Sequence, residues 1–155
     1  MELNQEKTRA VSFGCWEMEN ARKQQRRPNT FDFLGFTHYC SRTRGGKFKV
    51  GRKTNTERFS RMCQAIGTWL KLIRNVAKLK EIWKMLRTKL RGHYEYYGVS
   101  ENWRGIVMFY RTVLRLVYKW INRRSQKKSF NWEQFTEYLK LYPLPKPRIV
   151  HSFYD

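Results

Sequence analysis

The sequence predicts an α+β fold, mainly helical, in which a strand-rich segment leads into a bundle of three to four helices. Two observations carry this. Near Asn55 the hydrophobic pattern changes from alternation to the three-and-four spacing of a buried helix face. Apolar residues make up 41% of the 155, enough for a core, and Trp, Leu, Ile and Phe recur without the Ser, Gly and Pro dilution of a disordered chain. A third observation concerns the surface: 33 Lys and Arg face only 12 Asp and Glu, a formal charge of +21 alongside 6 Trp, 9 Tyr and 10 Phe. Charge of that size repels itself in a compact state and calls for a polyanion as partner.

Residues 1–54 read as strands with turns. Thr8 to Phe13 alternates polar and apolar, Phe31 to Tyr39 does the same around Gly35, and Lys47 to Lys53 alternates basic with apolar after the turn at Arg44, Gly45 and Gly46. The last two runs predict a hairpin. The basic stretch between the first two runs, closed by Pro28, is expected to be a surface loop or short helix.

Residues 55–142 follow as helices. Asn55 or Thr56 caps the first, whose inward positions are Phe59, Met62, Cys63, Ile66, Trp69, Leu70 and Ile73 and which fades near Asn75 to Lys78. The second buries Leu79, Ile82, Trp83, Leu86 and Leu90, exposes Lys80, Lys84, Arg87, Lys89 and Arg91, and is expected to stop at Gly92. The third places Ile106, Phe109, Tyr110, Val113, Val117, Trp120 and Ile121 on one side and Arg104, Arg111, Arg115, Lys119 and Arg123 nearly opposite. A short fourth, capped by Asn131 with Gln134 reaching back, presents Trp132, Phe135, Leu139 and Tyr142. Pro143, Pro145 and Pro147 make residues 143–155 an extended tail laid back on the bundle.

The composition also excludes functions. A two-metal polymerase or nuclease site needs carboxylates converging on ions about 4 Å apart. The only aspartates are Asp32 and Asp155, so the chain is expected to bind rather than catalyse and to carry no cofactor. His38, His93 and His151 show no metal-ligand spacing, and Cys15, Cys40 and Cys63 suit neither a disulfide framework nor a zinc knuckle. No apolar run reaches membrane-span length, and the charged first residues lack a signal peptide's apolar stretch, which points to the cytoplasm and away from membrane partners.

Two features point to nucleic acid. From Lys71 to Lys128 only Glu81, Glu95 and Glu101 are acidic, so the stripe of Arg104, Arg111, Arg115, Lys119 and Arg123, continued by Arg124, lacks the mixed signs of a merely solvated helix. Arg52, Lys53 and Arg91 add to this basic surface. The cluster Gly92 to Gly98 places His93, Tyr94, Tyr96 and Tyr97 in a linker between helices, either as a packed plug or as a stacking surface for exposed bases.

Taken in order, several segments resemble the C-terminal part of a bacterial group II intron-encoded reverse transcriptase, or maturase. LNQEKTRAVSFG (Leu3 to Gly14) is similar to the palm segment after the catalytic hairpin, and TFDFLGFTHYC (Thr30 to Cys40) to the next block. LRGHYEYYGV (Leu90 to Val99), WINRRSQ (Trp120 to Gln126) and YPLPKPRIVHS (Tyr142 to Ser152) resemble the maturase-specific thumb, domain X. The resemblance implies a palm remnant over residues 1–54, a helical thumb over 55–142 and a proline-rich tail over 143–155. It implies that Leu34, Gly35 and Phe36 approach the primer backbone as a primer grip and that Lys7 lies near the polymerase site. Implied partners are structured group II intron RNA and an RNA/DNA duplex. In that family the Tyr-Ala-Asp-Asp hairpin and the fingers precede the equivalent of this chain's start, and no downstream endonuclease region follows here, as in lineages lacking that domain. Three expectations follow: a domain that binds intron RNA and assists splicing; the C-terminal piece of a split RNA-directed DNA polymerase, completed by a separate N-terminal polypeptide or full-length copy that brings Mg²⁺; or an inert relic of a mobile element.

Overall fold

The alternating segments form a three-stranded antiparallel sheet in the order β1-β2-β3, with β1 at Thr30–Phe33, β2 at Phe36–Arg42 and β3 at Phe48–Thr54. This is a computed structural model that describes residues 10–124 and 130–153. The chain divides into two units, Met1–Asn55 and Thr56–Asp155.

In the first unit, the run from Phe31 to Tyr39 is two strands rather than one. Phe33 pairs with Phe36, and between them Leu34 and Gly35 both take positive φ, 49° and 80°. A two-residue turn with both centres left-handed matches the twist of an antiparallel hairpin. Gly35 enters that region without steric cost, so it closes a turn instead of marking a bulge. The expected hairpin of β2 with β3 is present, in register from Phe36 opposite Thr54 to Arg42 opposite Phe48.

The expected strand at Thr8 to Phe13 is not there: Thr8 lies outside the described residues, and residues 10–13 are irregular. Alternation makes a strand only where a neighbour offers a ladder. Here the Phe13 ring packs edge-on against Phe31 at 4.8 Å, and helix α1, Cys15–Lys23, starts immediately after Gly14. The basic stretch is thus partly helical. It is pinned from inside by Glu17, only 3% exposed, whose carboxylate accepts from both terminal nitrogens of Arg26 at 2.5 and 3.1 Å and from the Asn29 N–H at 3.1 Å.

The second unit contains α2 at Thr56–Ile73, α3 at Leu79–Tyr97, α4 at Trp103–Ile121 and α5 at Trp132–Leu141. α4 packs on α2 and α3. Its inward residues Ile106, Phe109, Val113, Val117 and Ile121 meet Leu70 of α2 and Ile82, Leu86 and Leu90 of α3 in one buried core. Each such aliphatic side chain contributes roughly 1.5–3 kcal/mol on burial. α5 carries the predicted capping box: Asn131 Oδ1 accepts from the Gln134 N–H, and Gln134 Oε1 accepts from the Asn131 N–H. α3 continues past Gly92 to Tyr97, because a helix whose next turn buries Tyr94 and Tyr97 is held by packing that outweighs one glycine, about 1 kcal/mol against alanine.

The proline segment lies along α3. Trp83 Nε1 donates to the Tyr142 carbonyl at 2.8 Å, Tyr94 Oη to the Pro145 carbonyl at 2.9 Å, and Val99 and His151 form a parallel bridge. A Cβ at Gly98 would overlap the carbonyl oxygens of Tyr94 and Arg148, so only glycine lets the segment come this close. Among the described residues no helix is long and apolar enough to cross a membrane.

Arg26, and after it the Asn29 N–H, hold the Glu17 carboxyl down to about 2 from its ordinary 4.5. A carboxyl lowered by folding contributes stability that is complete above about pH 4.5 and is lost as the pH falls toward 2. Glu17→Gln should therefore lower the thermal midpoint at pH 7, and its deficit against the unaltered chain should shrink between pH 4.5 and 2. Calorimetry across that window checks both.

Candidate nucleic-acid interface

The stripe predicted on the third helix is a feature of α4. Arg104, Arg111, Arg115, Lys119 and Arg123 are all exposed, and the helix spanning the first four contains no carboxylate. Among the described residues, Arg104, Arg111 and Arg115 make no side-chain hydrogen bond or ion pair. The far end of the stripe is organised on an aromatic ring: Lys119 Nζ lies 5.2 Å and the Arg123 guanidinium 5.4 Å from the Trp120 centroid, with Arg74, in the turn just after α2, at 4.8 Å. These are cation–π distances. They gather three cations at the C-terminal ends of α2 and α4, an addition from Arg74 that the α4 pattern alone does not reveal. Arg124 departs from the stripe: half-buried, it donates to the Ala77 carbonyl at 3.2 Å and ties down the turn between α2 and α3.

The cluster after Gly92 is corrected by its burial. It forms the last turns of α3 rather than a linker, and His93, Tyr94 and Tyr97 are 7%, 1% and 9% exposed. His93 stacks on Phe109 at 3.7 Å and on Tyr97 at 4.8 Å, so these rings face protein and leave no room for a base. Burial pushes the Tyr94 and Tyr97 hydroxyls up and lowers His93 to about 4. Only Tyr96, half exposed, stays at the surface.

In the first unit, strand alternation separates Arg52 from Lys53. Arg52 stands opposite His38 on the face that also carries Phe31 and Cys40, the face where Cys40 Sγ donates to the Gly14 carbonyl. Burial, and then the neighbouring Arg52 guanidinium, hold His38 below its ordinary value. Lys53 is on the other face, its ammonium 5.9 Å from the Tyr39 ring. The two therefore do not form one patch. At the tip of the β1–β2 hairpin, Leu34 is 65% exposed and Phe36 is buried. A leucine held left-handed costs about 1–2 kcal/mol. Lys7 lies outside the described residues.

One set of residues was not singled out from the sequence apart from Arg91 and Tyr94. Arg87, Arg91, Tyr94, Lys146 and Arg148 line a cleft of about 490 Å³ between α3 and the proline segment. A second hollow of about 790 Å³ is lined by Lys80, Trp83, Lys84, Arg87, Tyr138 and Tyr142. The signal was present: Lys80, Lys84, Arg87 and Arg91 recur at helical spacing, and YPLPKPR adds two cations. Among the described residues, no three His, Cys, Asp or Glu side chains gather as metal ligands. Comparisons with protein-family models, with curated proteins and with solved structures find no match to this chain.

Because folding lowers the His93 pKa, the stability gained from its neutral ring is complete above pH 6.5 and is lost as the pH falls toward 4. His93→Phe keeps an aromatic ring in the stack and removes the titration. Thermal midpoints measured from pH 7 to pH 4 should fall more steeply for the unaltered chain than for the variant; parallel curves would contradict the burial argument.

Proposed function

We propose that this chain is the RNA-binding part of a group II intron maturase, in which the α4 stripe clasps the backbone of structured intron RNA and of an RNA/DNA duplex and so assists splicing. The observation that carries the reading is the exposed row of Arg104, Arg111 and Arg115, directly behind the core residues of the same helix, in a chain of net charge +21. Cations without internal partners on a convex helix face suit backbone phosphates, which fix position and register rather than sequence. The motifs FDFLGFTHY, LRGHYEYYG, NRRSQ and YPLPKPRIVHS support the family. The strained, exposed Leu34 beside Gly35 supports a contact at the hairpin tip, where the resemblance implies a primer grip.

Binding of the purified chain to its flanking intron RNA, measured against a scrambled RNA of equal length, tests the reading. With roughly six to ten phosphate contacts, affinity should fall by about 10³ to 10⁵ between about 50 and 200 mM salt. Arg111→Gln, Arg115→Gln and Lys119→Gln combined should change stability by no more than about 0.5 kcal/mol each, while the salt slope drops by about three contacts' worth. Unchanged affinity in the folded triple variant would remove α4 as the contact.

A further inference from the structure

The groove on α3 differs from the α4 stripe in shape and lining. Arg87 lines both hollows, and Tyr142, which lines one, is followed by Pro143, which lines the other, so the two adjoin along α3 in the second unit. The groove's floor is α3, where Lys80, Lys84, Arg87 and Arg91 follow one another at four, three and four residues on one face. They rise about one turn, ~5.4 Å, at a time. Lys146 and Arg148 stand on the opposite rim, and the prolines between them and α5 hold that rim extended. Among the described residues, Lys80, Lys84, Arg91 and Lys146 make no side-chain hydrogen bond or ion pair. The one carboxylate in the lining, Glu81, is occupied in capping α3 by accepting from the Lys78 N–H at 3.0 Å.

The channel also holds aromatic surface. Tyr138 and Tyr142 lie 4.9 Å apart, and Tyr138 is braced edge-on by Trp83 at 5.1 Å. Tyr142 is half exposed, and the Trp83 bond to its backbone carbonyl fixes where its ring emerges. A line of unpaired cations beside a braced, exposed ring meets the two chemical demands of an unpaired nucleic-acid strand: phosphates along one edge and a base that needs a face to stack on. A duplex offers no free base face, and its backbone suits the convex α4 stripe better than a recess.

We infer that the groove between α3 and the proline segment binds a single-stranded stretch of RNA, with Lys84, Arg87, Arg91 and Lys146 on its phosphates and Tyr142 stacked against a base. The ligand class rests on the RNA-binding reading above; the site is a separate set of residues. The chain therefore has two nucleic-acid surfaces of different selectivity, one for paired and one for unpaired segments, as a structured RNA with loops presents.

The test uses the full chain with two fluorescent probes, an unstructured oligouridine of about a dozen nucleotides and a blunt RNA hairpin without unpaired bases outside its capping loop. Tyr142→Ala should weaken oligouridine binding about 5- to 100-fold, the range of one lost base stack, and change hairpin binding less than about twofold. Tyr142→Phe, which keeps the ring, should bind oligouridine like the unaltered chain. Lys84→Gln, Arg91→Gln and Lys146→Gln combined should flatten the salt slope for oligouridine and leave the hairpin slope in place, with a thermal midpoint near that of the unaltered chain. Equal losses on both probes, no loss on either, or a phenylalanine variant as weak as the alanine one would each overturn the groove proposal. Hairpin binding that persists and still depends on α4 would at the same time leave the maturase reading standing. Failure to bind either probe would remove both.

Discussion

The excess of positive charge constrains every other feature of this protein. With 33 basic and 12 acidic residues, each element must bury a face without burying a cation. Glu17, the buried one, clamps Arg26 and Asn29; at the surface Glu57 pairs with Arg61 within α2, Glu81 caps α3, Glu95 holds Arg148, and Glu137 pairs with Lys140. Asp32 accepts from the Thr37 hydroxyl across β1 and β2. These anions are thereby committed to local geometry, and the row on α4 contains no carboxylate to compensate it. Exposed pairs such as Glu137 and Lys140 are individually worth little. What matters is that they leave so few negative groups to screen the helix rows, so the field of those rows is available to a polyanion.

Aromatic residues take over the work that ion pairs perform in a balanced protein. Trp83 and Tyr94 are buried, yet each turns its one polar atom onto a carbonyl of the proline segment, at Tyr142 and Pro145. A buried hydroxyl or indole N–H without a partner is costly, so satisfying both atoms this way fixes the segment at two points. His93 serves packing instead: it stacks between Phe109 and Tyr97, and burial keeps it neutral. A charged imidazole there would add one more cation to a chain already over-supplied with them.

The helical half was legible because its signal is periodic and long. The faces of α4 follow directly from spacing, and the α5 cap from Asn131 and Gln134. The failures are local and have physical reasons. Alternation at residues 10–13 could not reveal that Phe13 would pack by its ring against Phe31 of β1 without joining the ladder, with α1 starting directly after Gly14. Gly35 was ambiguous because glycine serves bulge and turn alike, and only the left-handed Leu34 beside it decides for a turn. Gly92 failed as a stop because burial of Tyr94 and Tyr97 lies further along the same helix. At the candidate site, the α4 stripe was visible in one segment, whereas the α3 groove needs α3, α5 and the proline segment together. No single window of sequence contains it.

The contrast between these two basic surfaces follows from how each is built. On α4 the cations project from a helix whose other side is the core, so the surface is convex and its spacing is that of the helix alone. On α3 a similar row is walled by a segment that prolines hold extended and that two buried donors attach, which turns a stripe into a channel. Charge density is comparable, and the difference lies in depth and in the presence of a braced ring. A convex row reads the regular backbone of a duplex, whereas a recess with one exposed tyrosine face admits a strand only where its bases are free. In the single-strand reading proposed above, the proline segment, whose own sequence has little polar chemistry beyond Lys146 and Arg148, sets selectivity by geometry, through the wall it forms.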